Sequence, residues 1–426
     1  MALLTPNSQR RSPVERRGRR GSGLPQTATA WLSHPMADVV LIVVPAALLL
    51  GLGTLMVWSA SSVFSYTQFG NPYYFVIRHV VLLAIAVVAG WVTARLPMGM
   101  LQRMGWVIFL VAAVLIMLTF TPLGYGVGGN RNWLNFGSGS VMIRLQPAEF
   151  AKLAIVVWGA ALLANKRRLL AQPKHLVVPF VPFSGLLVML VILQRDLGTA
   201  IVLGALVLAV LWCVGAPLRI MMGLGALVVA GLGVLALVEP SRVARIAGFL
   251  DPASDPTGVN HQPMQALYGL ATGGWFGVNL GASRQKWGSL SQAHTDYVLA
   301  IIGEELGLVG TLLVLFLFVV LGYGGIRIAL RSSTFFGRLA AGGVTSWFMI
   351  QALINVMVVL KLLPVLGVPL PFVSYGGSAT LANLIALGVL VACARDEPDA
   401  RAWQRRRIRA RKAQGRRHSA VVPGRS

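Results

Sequence analysis

A single carboxylate, Asp296, stands where a polar, glycine-rich stretch becomes apolar, in Ser291-Gln-Ala-His-Thr-Asp-Tyr-Val-Leu-Ala300. An ionisable side chain beside lipid hydrocarbon is costly, so such residues usually mark functional sites. A carboxylate in that place can accept the proton of a hydroxyl group as a general base. His294 lies close by, but the sequence shows no second histidine or carboxylate cluster at ligand spacing, which disfavours a metal site there.

Cationic residues precede this carboxylate in two polar stretches. Arg284 and Lys286 lie in Ser-Arg-Gln-Lys-Trp287, and Arg131 and Arg144 lie in an earlier connection between apolar runs. Arginine and lysine are suited to binding phosphate or pyrophosphate groups. Contact with lipid headgroups alone is the alternative interpretation.

Other charges lie at the edges of apolar runs or inside them. Glu149 and Lys152 are three residues apart and share one side of a helix, so they can neutralise each other as a purely structural pair or line a cavity. Asp196 lies in a short break between apolar runs, where it can cap a helix N-terminus, and capping does not exclude lining a cavity. Glu304 and Glu305 lie in a later run, where we expect one of them to pair with a basic residue.

The last polar segment, Leu362–Ser378, contains three prolines and three glycines, so it is not expected to form a regular helix. Non-helical backbone at membrane depth is tolerated only where protein or a water-filled cavity surrounds it. We therefore interpret this segment, including Ser374, as a re-entrant or cavity-lining element. A merely structural connector is the alternative.

The elements that must position these residues are transmembrane helices. With 56% hydrophobic and 12% charged residues, the 426-residue chain is predicted to be a polytopic membrane protein. The alternating pattern of a membrane barrel is absent, so the fold class is all-α. Ten spans are predicted, at about 39–58, 79–94, 105–122, 149–165, 176–194, 199–215, 219–238, 297–324, 339–360 and 377–394.

The net charge of +24 is concentrated in two terminal tails. Residues 1–37 carry six Arg against one Glu, and residues 395–426 carry eleven Lys/Arg against three acids, so both tails are predicted to be cytoplasmic. Basic tails of a membrane protein solvate, contact anionic membrane lipids or meet a cytoplasmic partner, so nucleic-acid binding is not expected. The predicted outer loop at 59–74 contains no Asp, Glu, Lys or Arg before Tyr74.

Residues 38–394 are predicted to form one domain between those tails. The connection at 239–296 is far longer than two helices require, and long ordered loops usually carry function. Its first part, from Arg242 to Asp251, is predicted to be an amphipathic helix at the membrane interface, ended by Pro252. This extracytoplasmic connection is therefore the main candidate for the site.

Several ordered motifs resemble the SEDS (shape, elongation, division and sporulation) family of bacterial peptidoglycan glycosyltransferases, over about residues 38–394. The motifs are Trp58-Ser-Ala-Ser61, Arg131-Asn-Trp133, Gln146-Pro-Ala-Glu149-Phe-Ala-Lys152, Asp196-Leu-Gly-Thr199, Phe249-Leu-Asp-Pro252, Ala293-His-Thr-Asp296, Gly303-Glu-Glu-Leu-Gly307 and Leu370-Pro-Phe-Val-Ser-Tyr-Gly-Gly-Ser378. The run Gly281–Trp287, the serines at 59 and 61 and the basic tails resemble the division-type branch, with the elongation-type branch as the alternative.

The resemblance implies a catalytic role for Asp296 and a shared central cavity for Glu149, Lys152 and Asp196. It also implies the substrate lipid II, a disaccharide-pentapeptide on a polyprenyl pyrophosphate, and a class B penicillin-binding protein as transpeptidase partner among other division proteins. No cofactor is required with certainty, although a divalent cation, Mg²⁺ or Mn²⁺, could help to neutralise the pyrophosphate.

This chain departs from the family's usual pattern at three places, Ser291-Gln292, Arg195 and Lys361. These departures affect the expected substrate positioning and leave the expected reaction class in place. Two other functions are compatible with intramembrane charges, a lipid II flippase and a non-catalytic scaffold that recruits a transpeptidase.

Overall fold

The computed structural model describes residues 32–127, 130–137, 143–170, 172–238, 240–251, 258, 260–287, 290, 293–406 and 409. The helices are α1 (Ala37–Phe69), α2 (Tyr74–Arg95), α3 (Met98–Arg103), α4 (Gly105–Leu118), α5 (Pro147–Asn165), α6 (Pro173–Val177), α7 (Phe180–Leu193), α8 (Leu197–Val214), α9 (Leu218–Val238), α10 (Pro240–Leu250), α11 (His261–Gly273), α12 (Val298–Arg331), α13 (Phe335–Val359) and α14 (Gly377–Arg395). The strands are β1 (Gly124–Val127), β2 (Asn130–Phe136) and β3 (Ile143–Leu145).

Among the described residues, eight helical stretches are long and apolar enough to cross a membrane: α1, α2, α5, α6 with α7, α8, α12, α13 and α14. Two shorter apolar helices, α4 and the part of α9 from Leu218 to Gly231, lie where the third and seventh spans are predicted. The prediction of a mainly helical membrane protein is confirmed. The count of ten spans, the cytoplasmic position of the termini and the division into one domain with two tails stay predictions.

Two parts of the fold differ from the sequence prediction. The first helix does not end near Trp58 but continues to Phe69, so most of the predicted outer loop is helical. The connection before α5, for which no strands were predicted, contains an antiparallel sheet in the order β1-β2-β3. Its strands are short and β1 pairs irregularly, with a register shift between Tyr125 and Val127, so they carry little of the alternation that identifies strands in a sequence.

Helix α5 lies at the centre of the fold, and from Pro147 to Leu163 only Phe150 is not fully buried. Around it, helices α2 and α14 approach each other closely through glycines. A Cβ atom on Gly90 would lie 2.6 Å from the Leu384 carbonyl oxygen, and one on Gly388 would lie 2.4 Å from the Gly90 carbonyl oxygen. Small residues at a helix interface allow this close packing in membranes, where van der Waals contact is a main source of association.

The long connection before α12 contains two helices, α10 and α11. Helix α10 confirms the helix predicted from Arg242 onward, while its expected end at Pro252 lies outside the described residues. Helix α11 packs against the start of α12, because a Cβ on Gly273 would lie only 1.8 Å from the Gly303 carbonyl oxygen. The connection is thus folded onto the residues that follow Asp296.

Helix α12 is interrupted at Gly307, whose φ of 68° and ψ of −164° are not helical. The turn after α11 supplies the hydrogen bonds that the interrupted helix lacks. The amide of Leu308 donates to the Gly274 carbonyl at 2.9 Å, and the amide of Val278 donates to the Glu304 carbonyl at 2.9 Å. Buried backbone groups need partners, so this turn stabilises the break.

Replacing Gly307 by Ala is expected to destabilise the protein by on the order of 3 kcal/mol. The positive φ disfavours any Cβ, and a Cβ there would lie 2.4 Å from the Gly277 nitrogen and 2.5 Å from the Trp275 carbonyl oxygen. Thermal unfolding in detergent measures the loss. The matched control is Gly51→Ala in α1, because a Cβ there meets nothing within 4 Å, and an equal loss in both variants would contradict the explanation.

Candidate active site

Asp296 lies immediately before α12, where Tyr297 is the N-cap residue. Its backbone carbonyl accepts a hydrogen bond from Asn355 Nδ2 at 2.8 Å. Gly367 borders the carboxylate, because a Cβ on that glycine would lie 3.6 Å from Asp296 Oδ2. Burial, with a smaller contribution from the negative charge of Asp196, raises the pKa of Asp296 to about 7. A carboxylate with this pKa is suited to proton transfer near neutral pH.

Asp196 caps helix α8, as the sequence predicts, and accepts two further hydrogen bonds. Its Oδ1 accepts from the Thr199 amide at 3.1 Å. Its Oδ2 accepts from Asn132 Nδ2 at 2.8 Å and from Gln146 Nε2 at 3.2 Å. These three donors hold the Asp196 side chain in place, and its negative charge acts on Asp296.

Glu149 and Lys152 form the predicted pair, with Lys152 Nζ 2.7 Å from Glu149 Oε1 and both residues 1% exposed. Lys152 also donates to Gln351 Oε1 at 2.9 Å. The other Glu149 oxygen, Oε2, is buried and has no hydrogen-bond partner in the described part of the chain. The pair thus links α5 to α13 and leaves one buried acceptor unused.

A cavity of about 740 Å³ lies next to the residues that precede α12, and it is also bordered by the C-terminal part of α1, the start of α2 and the sheet. Three cations line it: Arg78, Arg144 and Lys286. Its aromatic lining consists of Phe64, Phe75, Trp133, Trp287, His294 and Tyr375. Thr295, next to Asp296, also lines it. The cavity combines cations for an anionic group with flat apolar surfaces for rings or lipid.

His294 lies among these aromatic rings, 6.0 Å from Phe64, 5.4 Å from Phe75 and 5.6 Å from Tyr375 between centroids. Burial lowers the pKa of His294 to about 4, so the imidazole is neutral at pH 7. Its backbone carbonyl accepts from the Tyr375 amide at 2.9 Å, which joins the residues before α12 to the segment before α14. His294 is therefore a neutral wall of the cavity.

Glu304 and Glu305 attach the Gly281–Trp287 stretch to the helices. Glu304 Oε1 accepts from the Arg284 amide at 2.9 Å. Glu305 Oε1 accepts from Ser59 Oγ at 2.6 Å and lies 3.5 Å from Lys286 Nζ. The expected pairing of one of these acids with a basic residue is confirmed, and it holds Lys286 at the cavity.

The remaining candidates lie elsewhere. Arg131 is exposed and donates through its guanidinium to the Thr121 carbonyl at 2.8 Å. Arg284 is exposed and does not line the cavity. Ser374 Oγ accepts from the Leu370 amide at 2.9 Å, so it stabilises a turn of the irregular 360–376 segment. Of the four proposed pyrophosphate-binding cations, only Arg144 and Lys286 line the cavity.

Sequence reasoning missed Arg78, Asn132 and Asn355 as candidates. Arg78 begins an apolar run, and its charge at that position was the one available signal. Asn132 and Asn355 are neutral amides, which have no individual signature in a sequence. Each nevertheless contacts one of the two aspartates, Asn132 through the Asp196 side chain and Asn355 through the Asp296 backbone.

Two departures from the family pattern, Arg195 and Lys361, adopt positive φ angles of 64° and 54°. Glycine adopts this conformation without a Cβ penalty, so a side chain at either position carries a conformational cost. The other departure, Ser291-Gln292, lies outside the described residues. The segment containing Lys361 is irregular and largely buried from Val368 to Ser374, as predicted.

No group of three or more His, Cys, Asp or Glu side chains among the described residues is arranged to hold a metal ion. Asp296 and Asp196 are two carboxylates, and the three donors on Asp196 already occupy its oxygens. The donor set therefore does not fit a metal held by protein ligands alone.

These features define a class of protein: an integral membrane protein with a cationic, aromatic-lined cavity that reaches the residue before a partly buried carboxylate. The chain belongs to the FtsW/RodA/SpoVE family, described as "Cell cycle protein", whose family model matches residues 39–398. The resemblance noted in the sequence is thereby confirmed.

Relatives and solved structures agree with this family. The chain is 38% identical over 397 residues to a protein of Mycobacterium tuberculosis named probable peptidoglycan glycosyltransferase FtsW, covering 93% of this chain and 75% of that protein. It is 36% identical over 355 residues to stage V sporulation protein E of Bacillus subtilis, covering 83% and 95% of the two chains.

Two solved structures share the fold. A chain of a peptidoglycan synthase complex that coordinates polymerization and crosslinking matches with a TM-score of 0.67 and 26% identity, covering 86% of this chain and 99% of that one. The rod shape determining protein RodA of Thermus thermophilus matches with a TM-score of 0.60 and 25% identity, covering 87% and 99%.

Proposed function

We propose that the protein is a peptidoglycan glycosyltransferase that polymerises lipid II into β-1,4-linked glycan strands for septal wall synthesis during cell division. The observation that carries the proposal is the cavity that is lined by Arg78, Arg144 and Lys286 and by Thr295, the residue before Asp296. The names of the M. tuberculosis FtsW relative and of the synthase complex support it. The protein then acts in the plasma membrane, with a role at the division septum as the finer proposal.

In the reaction, Asp296 accepts the proton of the acceptor sugar's 4-hydroxyl as that oxygen attacks the anomeric carbon of the donor. The bond from this carbon to the pyrophosphate oxygen breaks, the pyrophosphate leaves with the bonding electrons, and the configuration at the carbon inverts. Pyrophosphate is a good leaving group, so the protein's main task is to position it and to neutralise the charge that develops on it.

The three cavity cations are the proposed pyrophosphate ligands. Arg144 lies 4.8 Å from the centroid of the Tyr125 ring, and Lys286 is held by Glu305 at 3.5 Å. These contacts keep the two cations at the cavity wall before substrate arrives, which lowers the ordering cost of binding. Mg²⁺ or Mn²⁺ bound through the substrate's own phosphate oxygens remains compatible with this arrangement.

Purified protein in proteoliposomes, supplied with lipid II, tests the proposal. Glycan strands resolved on a gel are the expected product, formed by the wild type and not by Asp296→Ala. Fluorescent lipid II that crosses the bilayer without polymer formation would instead identify a flippase. Activity only in the presence of a transpeptidase, with polymer still lost in Asp296→Ala, would assign catalysis to this chain and activation to its partner.

Arg78→Gln is expected to raise the KM for lipid II by about tenfold or more, because a charge-assisted hydrogen bond to phosphate is lost. The catalytic rate at saturating lipid II should change less, since Asp296 is untouched. Steady-state polymerisation over a range of lipid II concentrations measures both constants. Arg168→Gln, at an exposed position between α5 and α6, is the matched charge control, and an equal KM change there would contradict a specific role for Arg78.

We also propose a class B penicillin-binding protein as the transpeptidase partner. The support is the match to a chain of a complex that combines polymerization with crosslinking. Copurification of the two proteins from membranes tests this partner. Other division proteins and membrane lipids are the further proposed partners.

A further inference from the structure

A polar stripe runs along one face of α13. Trp347, Gln351 and Asn355 follow each other at intervals of four residues, so they share one side of the helix. Gln351 and Asn355 are 0% and 1% exposed. Buried amides require hydrogen-bond partners, and their partners identify what the stripe does.

Gln351 connects the stripe to α5 and to the segment before α14. Its Oε1 accepts from Lys152 Nζ at 2.9 Å and from Trp347 Nε1 at 2.7 Å. Its Nε2 donates to the Pro369 carbonyl at 2.8 Å. The carbonyl of Pro369 belongs to irregular backbone, which depends on side-chain donors of this kind.

Asn355 connects the same irregular segment directly to Asp296. The two protons of its Nδ2 are used on two carbonyl oxygens, those of Val368 and Asp296, both at 2.8 Å. Asp296 precedes the first turn of α12, where the amides of Ala300 and Ile301 both donate to the Tyr297 carbonyl. The Asp296 carbonyl therefore takes its donor from another element.

We infer that Asn355 is a positioning residue for the proposed general base: its amide fixes the backbone of Asp296 against the Val368 and Gly367 part of the irregular segment. The inference rests on the proposed function, because it assigns Asn355 a role through Asp296. Gly367, one residue before Val368, borders the Asp296 carboxylate, so the same hydrogen bonds set the distance between the carboxylate and this segment. A base misplaced by about 1 Å loses on the order of a hundredfold in rate.

Asn355→Asp is the sharpest variant, because it keeps the side-chain volume and replaces the doubly donating amide by a group that accepts. The expected result is a fall in kcat of about 10- to 100-fold with KM for lipid II within about twofold. Asn355→Ser also removes the amide that donates two protons but adds no charge, and it should lower kcat as well. Thr345→Ala in α13 is the control, since that hydroxyl bonds only within its own helix, to the Ala341 carbonyl at 2.7 Å.

A double variant separates positioning from general loss of structure. In an Asp296→Asn background, Asn355→Asp should reduce the remaining rate by less than about twofold, because the residue it positions no longer acts as a base. A further loss as large as in the wild-type background would overturn the inference. Gln351→Ala, which frees Pro369 but leaves the Asp296 contact, should lower kcat less than Asn355→Asp.

Hydrogen exchange tests the inference without a measurement of enzyme activity. Amides in peptides that cover 293–300 and 366–376 should exchange faster in Asn355→Ser than in wild type, and remain unchanged in Thr345→Ala. Unchanged exchange in both peptides, or a wild-type kcat in Asn355→Asp, overturns the inference. If the wild type forms no polymer either alone or with its transpeptidase, the proposed function fails, and the exchange experiment still decides whether Asn355 holds Asp296.

Discussion

Asp296→Asn is expected to lower the rate of lipid II polymerisation by about 10²- to 10⁴-fold, the range that general-base catalysis contributes. Asparagine keeps the size of the side chain and removes its basicity. The backbone contact to Asn355 and the boundary with Gly367 remain, so the protein should stay folded. Polymerisation in proteoliposomes measures the rate, and thermal unfolding confirms the fold. A normal rate in a folded variant would exclude the general-base role.

The pH profile gives an independent measure of the same group. Burial raises the pKa of Asp296 to about 7, with the Asp196 charge as the second cause. The base must be deprotonated, so kcat/KM should fall as pH decreases through about 7 and reach a plateau above it.

Asp196→Asn should move this acidic limb to lower pH, because removing a nearby negative charge lowers the pKa of Asp296. Asparagine caps a helix about as well as aspartate, so the start of α8 should be retained. An acidic limb at the same pH in the wild type and the variant would show that Asp196 does not act on Asp296 electrostatically.

The sequence predicts the helices well because the length of each apolar run can be read directly from the sequence and compared with the thickness of a membrane. It also predicts the Glu149–Lys152 pair and the Asp196 cap, because in each contact the two partners are three residues apart. Contacts between such near neighbours in the chain depend little on where distant segments lie. The same holds for the irregular segment before α14, where prolines and glycines exclude a helix.

Long-range placement is not encoded in such local patterns. Arg131 and Arg144 belong to the same connection, yet only Arg144 lines the cavity, while the Arg131 guanidinium donates to the Thr121 carbonyl. The break at Gly307 depends on a turn about thirty residues earlier in the chain. Asn355 contacts Asp296 across the bundle, and a neutral amide inside an apolar helix carries no signal of its partner.

The buried pair of α5 yields the second large effect. Lys152→Met or Glu149→Gln alone is expected to destabilise the protein by about 3–5 kcal/mol, because each leaves the opposite member buried without its partner. Both residues are 1% exposed, so solvent cannot compensate. Thermal unfolding of the purified variants in detergent measures the loss, with Thr345→Ala as a control that removes a buried hydroxyl and no charge.

The double variant Glu149→Leu/Lys152→Met should recover most of that stability, because replacing a buried ion pair by hydrophobic groups of similar volume is often neutral or stabilising. Gln351 Oε1 keeps its hydrogen bond from Trp347 Nε1 at 2.7 Å, so no new unpaired acceptor is created there. Polymerisation should nevertheless remain at least about tenfold below wild type. Glu149 Oε2 is a buried acceptor without a donor in the described part of the chain, which favours a role beyond the pair. A double variant that is both stable and fully active would make the pair purely structural.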